Sequence, residues 1–347
     1  MKNAIFIGVL SYGTTSKSQA DWLKEITPEF EWQGIDTDGP FQSQPRWSRS
    51  LAFRLRLGPA VAAVNRYILQ SLPATKVDLV WIGKGVLLYP STIQLIRERT
   101  KLLIHYTPDT AFYGNRSRYF YQSIHSYDLV VTTKSFEMEQ YQRYVEPQKL
   151  FLTTQGYDPN IHYPHVTTQK RKEAVLIGLC EPNREDCVAT LRRHNIPVVI
   201  GGKGWDNIVR RYHGEEGFKF LGDSVFGNSY ARAISEATIG LGLMSKKFPE
   251  LHTTRTMEIP ACGTILATQR TSETGRFYND SEALFFDNFE DLSQKVNAIF
   301  SDPQKAQSLA EQGRRAVFRQ PFSYPEILAQ CLRQVGIEAC LKKTDEK

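Results

Sequence analysis

Short apolar runs alternate with helix-length amphipathic segments along almost the whole chain, and this alternation narrows the fold more than any other feature. A strand that is followed by a crossing helix returns parallel to its predecessor. A long series of such units therefore builds parallel sheets covered by helices. In the first half the spacing predicts strands over Asn3–Leu10, Leu79–Gly83, Lys101–Tyr106, Leu129–Thr132 and Leu150–Thr153, with helices over Ser18–Ile26, Pro59–Leu72, Ser91–Arg99 and Ser135–Tyr144. The polar stretch Gln155–Pro164, rich in turn formers and running on into His165–Lys172, reads as a connection between domains.

A second series follows. Its strands are expected over Ala174–Gly178, Val198–Gly201, Lys219–Leu221, Ile239–Met244, Thr264–Ala267 and Ala283–Phe286. Its helices are expected over Arg184–His194, Ser229–Glu236, Thr254–Cys262, Phe289–Phe300 and Pro303–Val317, and a last one over Glu326–Cys340. At 347 residues, a prior of about 150 residues per domain gives two domains. The boundaries fall at 1–160, a linker 161–172, a second domain 173–322, and a terminal helix and tail 323–347.

Composition removes several classes of function. Hydrophobic residues make up 41% of the chain, enough for two buried cores, and no apolar run approaches the roughly 20 residues needed to cross a bilayer. The five cysteines show neither paired nor metal-ligand spacing, which suits a reducing cytoplasm without a disulfide framework or zinc. The net charge of +6 is uneven: Arg46, Arg49, Arg54 and Arg56 are interleaved with Trp47, Leu51, Phe53, Leu55 and Leu57. This segment reads either as a solvated helix face or as a basic amphipathic helix that touches an anionic membrane or a phosphorylated acceptor. No nucleic-acid recognition motif accompanies the charge.

The densest chemistry lies in Glu250-Leu-His-Thr-Thr-Arg-Thr-Met-Glu258-Ile-Pro-Ala-Cys-Gly263, where a polar loop enters a short amphipathic helix. A helix start carries unpaired N–H groups and partial positive charge, so it suits a phosphate. Arg255 could neutralise part of a diphosphate, and Glu258, one turn in, could accept hydrogen bonds from ribose hydroxyls. A nucleotide sugar fits that combination. The plainer alternative makes Thr253 or Thr254 an N-cap and Met257, Ile259 and Ala261 a core face.

The pattern R-x-M-E-I-P-A-C-G-T, the T-x-E segment at Glu273 and Ser281–Phe286 resemble glycosyltransferases of the GT-B fold. The likeness runs to the group-one enzymes and their CgeB-like relatives, over roughly residues 165–325. The Glu250/Glu258 spacing matches their E-x(7)-E signature, although Glu250-Leu-His-Thr replaces the usual E-G-F-G. The resemblance implies two Rossmann-like α/β domains facing across a cleft, with the terminal helix returning toward the first. It implies a retaining, metal-independent transfer from a UDP- or GDP-sugar, with no other cofactor and no bound metal.

Under that resemblance the donor residues are Gly178, Arg184, Gly202, Lys203, Trp205, His252, Thr253, Thr254, Arg255 and Glu258, all in loops after strands or at helix starts. Trp205 either walls the base or is a core tryptophan, and Arg184 either meets phosphate or decorates a helix. Glu250 would hydrogen-bond the transferred sugar, while Tyr230 reads as core. On the acceptor side stand Tyr12, Gly13 and Thr14 after the first strand. Asp109, with His105 as second choice, is the candidate base or acceptor-orienting group, and Lys84 and Lys134 lie nearby in sequence. The acceptor stays open among a glycan, a lipid-linked saccharide, a small metabolite and a protein. The expected location is the cytoplasm, with peripheral contact to the inner face of the membrane through Arg46–Arg56. The competing readings are a same-fold epimerase and a non-catalytic scaffold that binds a glycan or envelope partner.

Overall fold

The computed structural model describes residues 1–165 and 170–341, so part of the expected linker and the last residues of the tail lie outside the described residues. The chain divides into two compact units: 1–154 with 324–341, and Gln155–Ser323. The division falls between Thr154 and Gln155, ahead of the expected linker.

The first unit holds six strands, β1 (Lys2–Gly8), β2 (Phe30–Asp36), β3 (Val77–Gly83), β4 (Thr100–Thr107), β5 (Leu129–Thr132) and β6 (Leu150–Leu152). They form one sheet in the order β2-β1-β3-β4-β5-β6, and every pairing is parallel. Because helices cover both faces, the central strands are mostly apolar, with His105 in β4 as a buried exception. Phe6, Trp81, Ile104 and Tyr106 pack on one face under the helices Thr15–Ile26 and Tyr324–Arg333. Ile5, Ile7, Val80 and Ile82 pack on the other under Pro59–Ser71 and Pro90–Glu98. The terminal helix thus completes the first core, although it ends at Arg333, well short of the expected Cys340.

Strand β2 is absent from the sequence reading. Its Phe30, Trp32 and Ile35 are buried between exposed Glu31, Gln33 and Gly34, the alternation of an edge strand that lacks a continuous apolar run.

The second unit repeats the plan with β7 (Arg171–Ile177), β8 (Val198–Gly201), β9 (Phe218–Phe220), β10 (Ala237–Leu241), β11 (Ile265–Thr268) and β12 (Leu284–Phe285). The order is β12-β11-β10-β7-β8-β9, again all parallel. Pro182–Arg193 and Phe289–Ser301 cover one face, Gly227–Glu236 and Arg255–Ala261 the other, and Pro303–Phe318 contributes to both cores. Gln155–Pro164, expected to connect domains, is folded into this unit: Tyr157 N–H donates to Phe322 O at 3.1 Å, and His162 reaches the helix Arg255–Ala261.

Strand order reverses once in each sheet, between β1 and β3 and between β7 and β10. The carboxyl ends of strands at such reversals are where open α/β sheets hold ligands. The loops after β7 and β10 contain Gly178 and Glu250.

Candidate donor site in the second unit

The loop after β7 is shaped by backbone contact. Gly178 N–H donates to Gly201 O at 2.8 Å, and its carbonyl accepts the indole N–H of Trp205 at 2.9 Å. Gly202, at φ +111°, lies so close that a Cβ there would stand 2.3 Å from Gly178 O. Only glycine fits that approach. Trp205 is 1% exposed, so it braces this loop and does not stack on a base. Lys203 is exposed, and its carbonyl accepts the Cys180 N–H at 2.9 Å.

Two guanidinium groups converge on Gly178. A Cβ at that position would be 3.3 Å from Nη1 of both Arg184 and Arg255. Arg184 donates to Leu179 O at 2.7 Å and Leu243 O at 3.3 Å, while Arg255 donates to Ile177 O at 3.3 Å. The Nε atoms of both are buried without a partner. Burial first, then the charge of Arg255, lowers the pKa of Arg184 to about 10, and Glu181 and Glu250 act in the opposite sense. Arg184 stays charged near neutral pH. Buried Arg184 and half-buried Arg255 set two like charges against one backbone loop, an arrangement that suits an anion.

Glu250 accepts from Ser245 N–H at 3.1 Å, and Ser245 Oγ donates to Glu181 at 2.9 Å. Beside them Met244, Phe248, Pro249, Gln269 and Thr271 line a hollow of about 520 Å³. Glu258 is nearly buried: Oε2 accepts from the Tyr230 hydroxyl at 2.6 Å, and Oε1 lies 3.8 Å from His162 Nε2. His162 Nδ1 accepts the Asp158 N–H, which leaves its proton on Nε2, toward Glu258. Tyr230 is therefore part of this cluster as well as of the core. His162 was invisible in the sequence because its segment looked like a linker.

Other expectations need correction. Both nitrogens of His252 are engaged within the unit, Nε2 by Gln155 N–H at 3.0 Å and Nδ1 by Glu273, so the ring offers no polar atom to a ligand. Neither Thr253 nor Thr254 caps through its side chain. Thr254 already has helical backbone angles, and Thr253 N–H donates to Thr256 Oγ1. The Thr253 hydroxyl is buried without a partner.

In the first unit, Asp109 forms an ion pair with Lys84 at 2.7 Å. Lys84 holds a left-handed backbone at φ +65°, a strained choice for a side chain of that length. A hollow of about 210 Å³ lies beside it, lined by Asp38, Gln42 and apolar residues at the ends of β1 and β3. His105 is a core residue. It stacks on Phe120 at 4.4 Å, Nε2–H donates to Lys84 O, and burial lowers its pKa to about 4, so it is no candidate base. Thr14 spends its hydroxyl as a helix cap for Lys17 N–H, Gly13 turns the chain before it, and Tyr12 is exposed. Lys134 is buried.

Residues 184–333 match the model of a family described as glycosyl transferase-like. No sequence among curated proteins matches the chain. Among solved structures, sucrose-phosphate synthase from Thermosynechococcus elongatus aligns with a TM-score of 0.67 at 14% identity, covering 96% of this chain and 99% of its own. HepE from Anabaena, in complex with UDP and glucose, aligns with a TM-score of 0.65 at 14% identity over the same shares. The fold is GT-B. A glycosyltransferase from Rickettsia africae adds a third GT-B match, with a TM-score of 0.61, 11% identity, and 96% and 99% coverage. At such identities the GT-B likeness fixes architecture, and chemistry has to be argued from side chains.

Proposed function

We propose that the chain is a glycosyltransferase that moves a sugar from a nucleoside diphosphate to an acceptor. The observation that carries this reading is the pair of guanidinium groups, Arg184 and Arg255, closing on Gly178 at the carboxyl end of β7. A diphosphate would neutralise both charges, and the same contacts would stabilise the charge that develops on the leaving nucleotide, without requiring a metal ion. Glu258, oriented by Tyr230 and facing His162, is suited to the ribose hydroxyls. Glu250 and Ser245, beside the open hollow, are suited to the transferred sugar. The first unit takes the acceptor, with Asp109 held by Lys84 as its orienting group or base.

The E-x(7)-E spacing of Glu250 and Glu258 supports retention of anomeric configuration and a place near the CgeB-like branch. The HepE complex with UDP and glucose makes UDP-sugars the first donors to try, with GDP-sugars next. Five free cysteines suit work in the cytoplasm. Among the described residues, no helix is long and apolar enough to cross a membrane.

Thermal unfolding of the purified protein with UDP-, GDP- and ADP-sugars tests the proposal. A bound donor at 100 times its Kd adds about 2.7 kcal/mol to stability. Mass spectrometry of the mixture should show slow release of the free sugar. Silence toward every nucleotide sugar would transfer the case to a non-catalytic scaffold.

A further inference from the structure

We infer that the helix Arg46–Leu55 and the turn after it are a docking surface for an anionic lipid bilayer. The inference reaches beyond the donor reading and does not depend on it. Trp47, Phe53 and Leu55 are 62%, 70% and 60% exposed, and Leu57 follows at 37%. Four large apolar side chains within eleven residues are an uncommon concentration for a water-facing surface.

The helix is anchored from beneath, so this exposure is not fraying. Ser48 and Ala52 are fully buried, and Ser48 Oγ accepts the Ala60 N–H at 2.9 Å. Arg56 closes the helix with left-handed backbone and donates to Phe53 O at 2.6 Å. At 3.6 residues per turn, Arg49, Phe53, Arg46, Ser50, Arg54 and Trp47 span an arc of roughly 160° on the side away from Ser48 and Ala52. Cations and apolar groups alternate around that arc.

Charge decides the partner. From Gly39 to Val77 the sequence has no acidic residue, while Arg46, Arg49, Arg54, Arg56, Arg66 and Lys76 fall within it. A second copy of the same surface would bring arginines against arginines. A neutral membrane would leave them without counter-charges. Anionic head groups pair with the guanidinium groups while Trp47 and Phe53 enter the head-group boundary, the way interfacial helices bind.

Trp47 supplies its own reporter, because the other four tryptophans are buried. The full chain is mixed with vesicles of phosphatidylcholine alone or with added phosphatidylglycerol. Co-sedimentation is measured alongside tryptophan emission and its quenching by brominated chains. Binding should be stronger on the anionic vesicles by on the order of tenfold and should weaken with salt. Trp47 emission should shift to the blue and be quenched, and Trp47→Phe should erase that signal. Arg46→Gln with Arg54→Gln should remove the preference for anionic vesicles, and Trp47→Ser with Phe53→Ser should remove binding. All these positions except Phe53 lack a role in the helix anchor, and circular dichroism checks the fold of each variant. Equal binding to both vesicles, no binding to either, or an unquenched Trp47 overturns the inference. So does a dimer in vesicle-free solution that Trp47→Ser with Phe53→Ser dissolves.

Discussion

Gly202→Ala probes the backbone approach on which the candidate donor loop rests. The added Cβ would stand 2.3 Å from Gly178 O and 2.8 Å from its carbonyl carbon, both rigid backbone atoms. The left-handed conformation costs an alanine about 1–2 kcal/mol. Forcing the two loops apart adds about 1–3 kcal/mol, as overpacking does in cores. Each kcal/mol lowers Tm by about 2–4 °C in a domain of about 150–250 residues, so the second unit should melt about 4–20 °C lower. Gly222→Ala separates the two contributions: its φ is +100°, and a Cβ there meets nothing within 4 Å. That variant should show only the torsional loss, about 2–8 °C. Thermal unfolding followed by near-ultraviolet circular dichroism gives both numbers. Equal losses in the two variants would refute the reasoning, because the Gly178–Gly202 contact would then contribute nothing in solution.

Arg255→Met should weaken donor binding by about 1.5–3 kcal/mol, roughly ten- to a hundredfold in Kd by calorimetry; an unchanged Kd would remove Arg255 from the diphosphate. Tyr230→Phe deletes the hydrogen bond to a nearly buried carboxylate and should cost about 1–3 kcal/mol in urea unfolding, together with donor affinity. His105 is held neutral, its pKa lowered from 6.5 to about 4 by burial. Between about pH 6.5 and 4 the unfolded chain binds the proton first, so stability present above that range should be lost as pH falls, by up to about 3 kcal/mol. Urea midpoints at stepped pH would show the slope, and His105→Phe should flatten it. Lys170, half-buried and donating to Ser235 O and Thr264 Oγ1, has its pKa lowered by desolvation to about 8. As pH rises from about 8 toward 10.5 the unfolded state holds more protons, so stability should increase, and Lys170→Met should abolish that increase.

Strands buried on both faces announce themselves in one dimension. Leu129–Thr132 and Val198–Gly201 were legible to the residue because nothing polar interrupts them. Edge strand β2 was not, since half its side chains face water. The loops after β7 and β10 could be found by counting from those strands, and Gly178, Arg184 and Arg255 do come together. What the sequence could not disclose was the partner of each polar group. His252 and Glu273 are 21 residues apart, and Tyr230 and Glu258 are 28 apart. Whether a histidine faces a ligand or closes an internal bond depends on folding that no local pattern encodes. Trp205 and Thr14 misled for the same reason: residue types common in sites are also good braces and caps.

The helix Tyr324–Arg333 gives the first unit an awkward birth. Ile327, Leu328, Cys331 and Leu332 complete a core begun by Phe6 and Trp22. A ribosome must therefore make the whole second unit before the earliest-made half can close. The second unit can finish folding while Trp22 and Leu23 still await their cover, and a chain cut before Tyr324 would leave that early half with an open, adhesive flank.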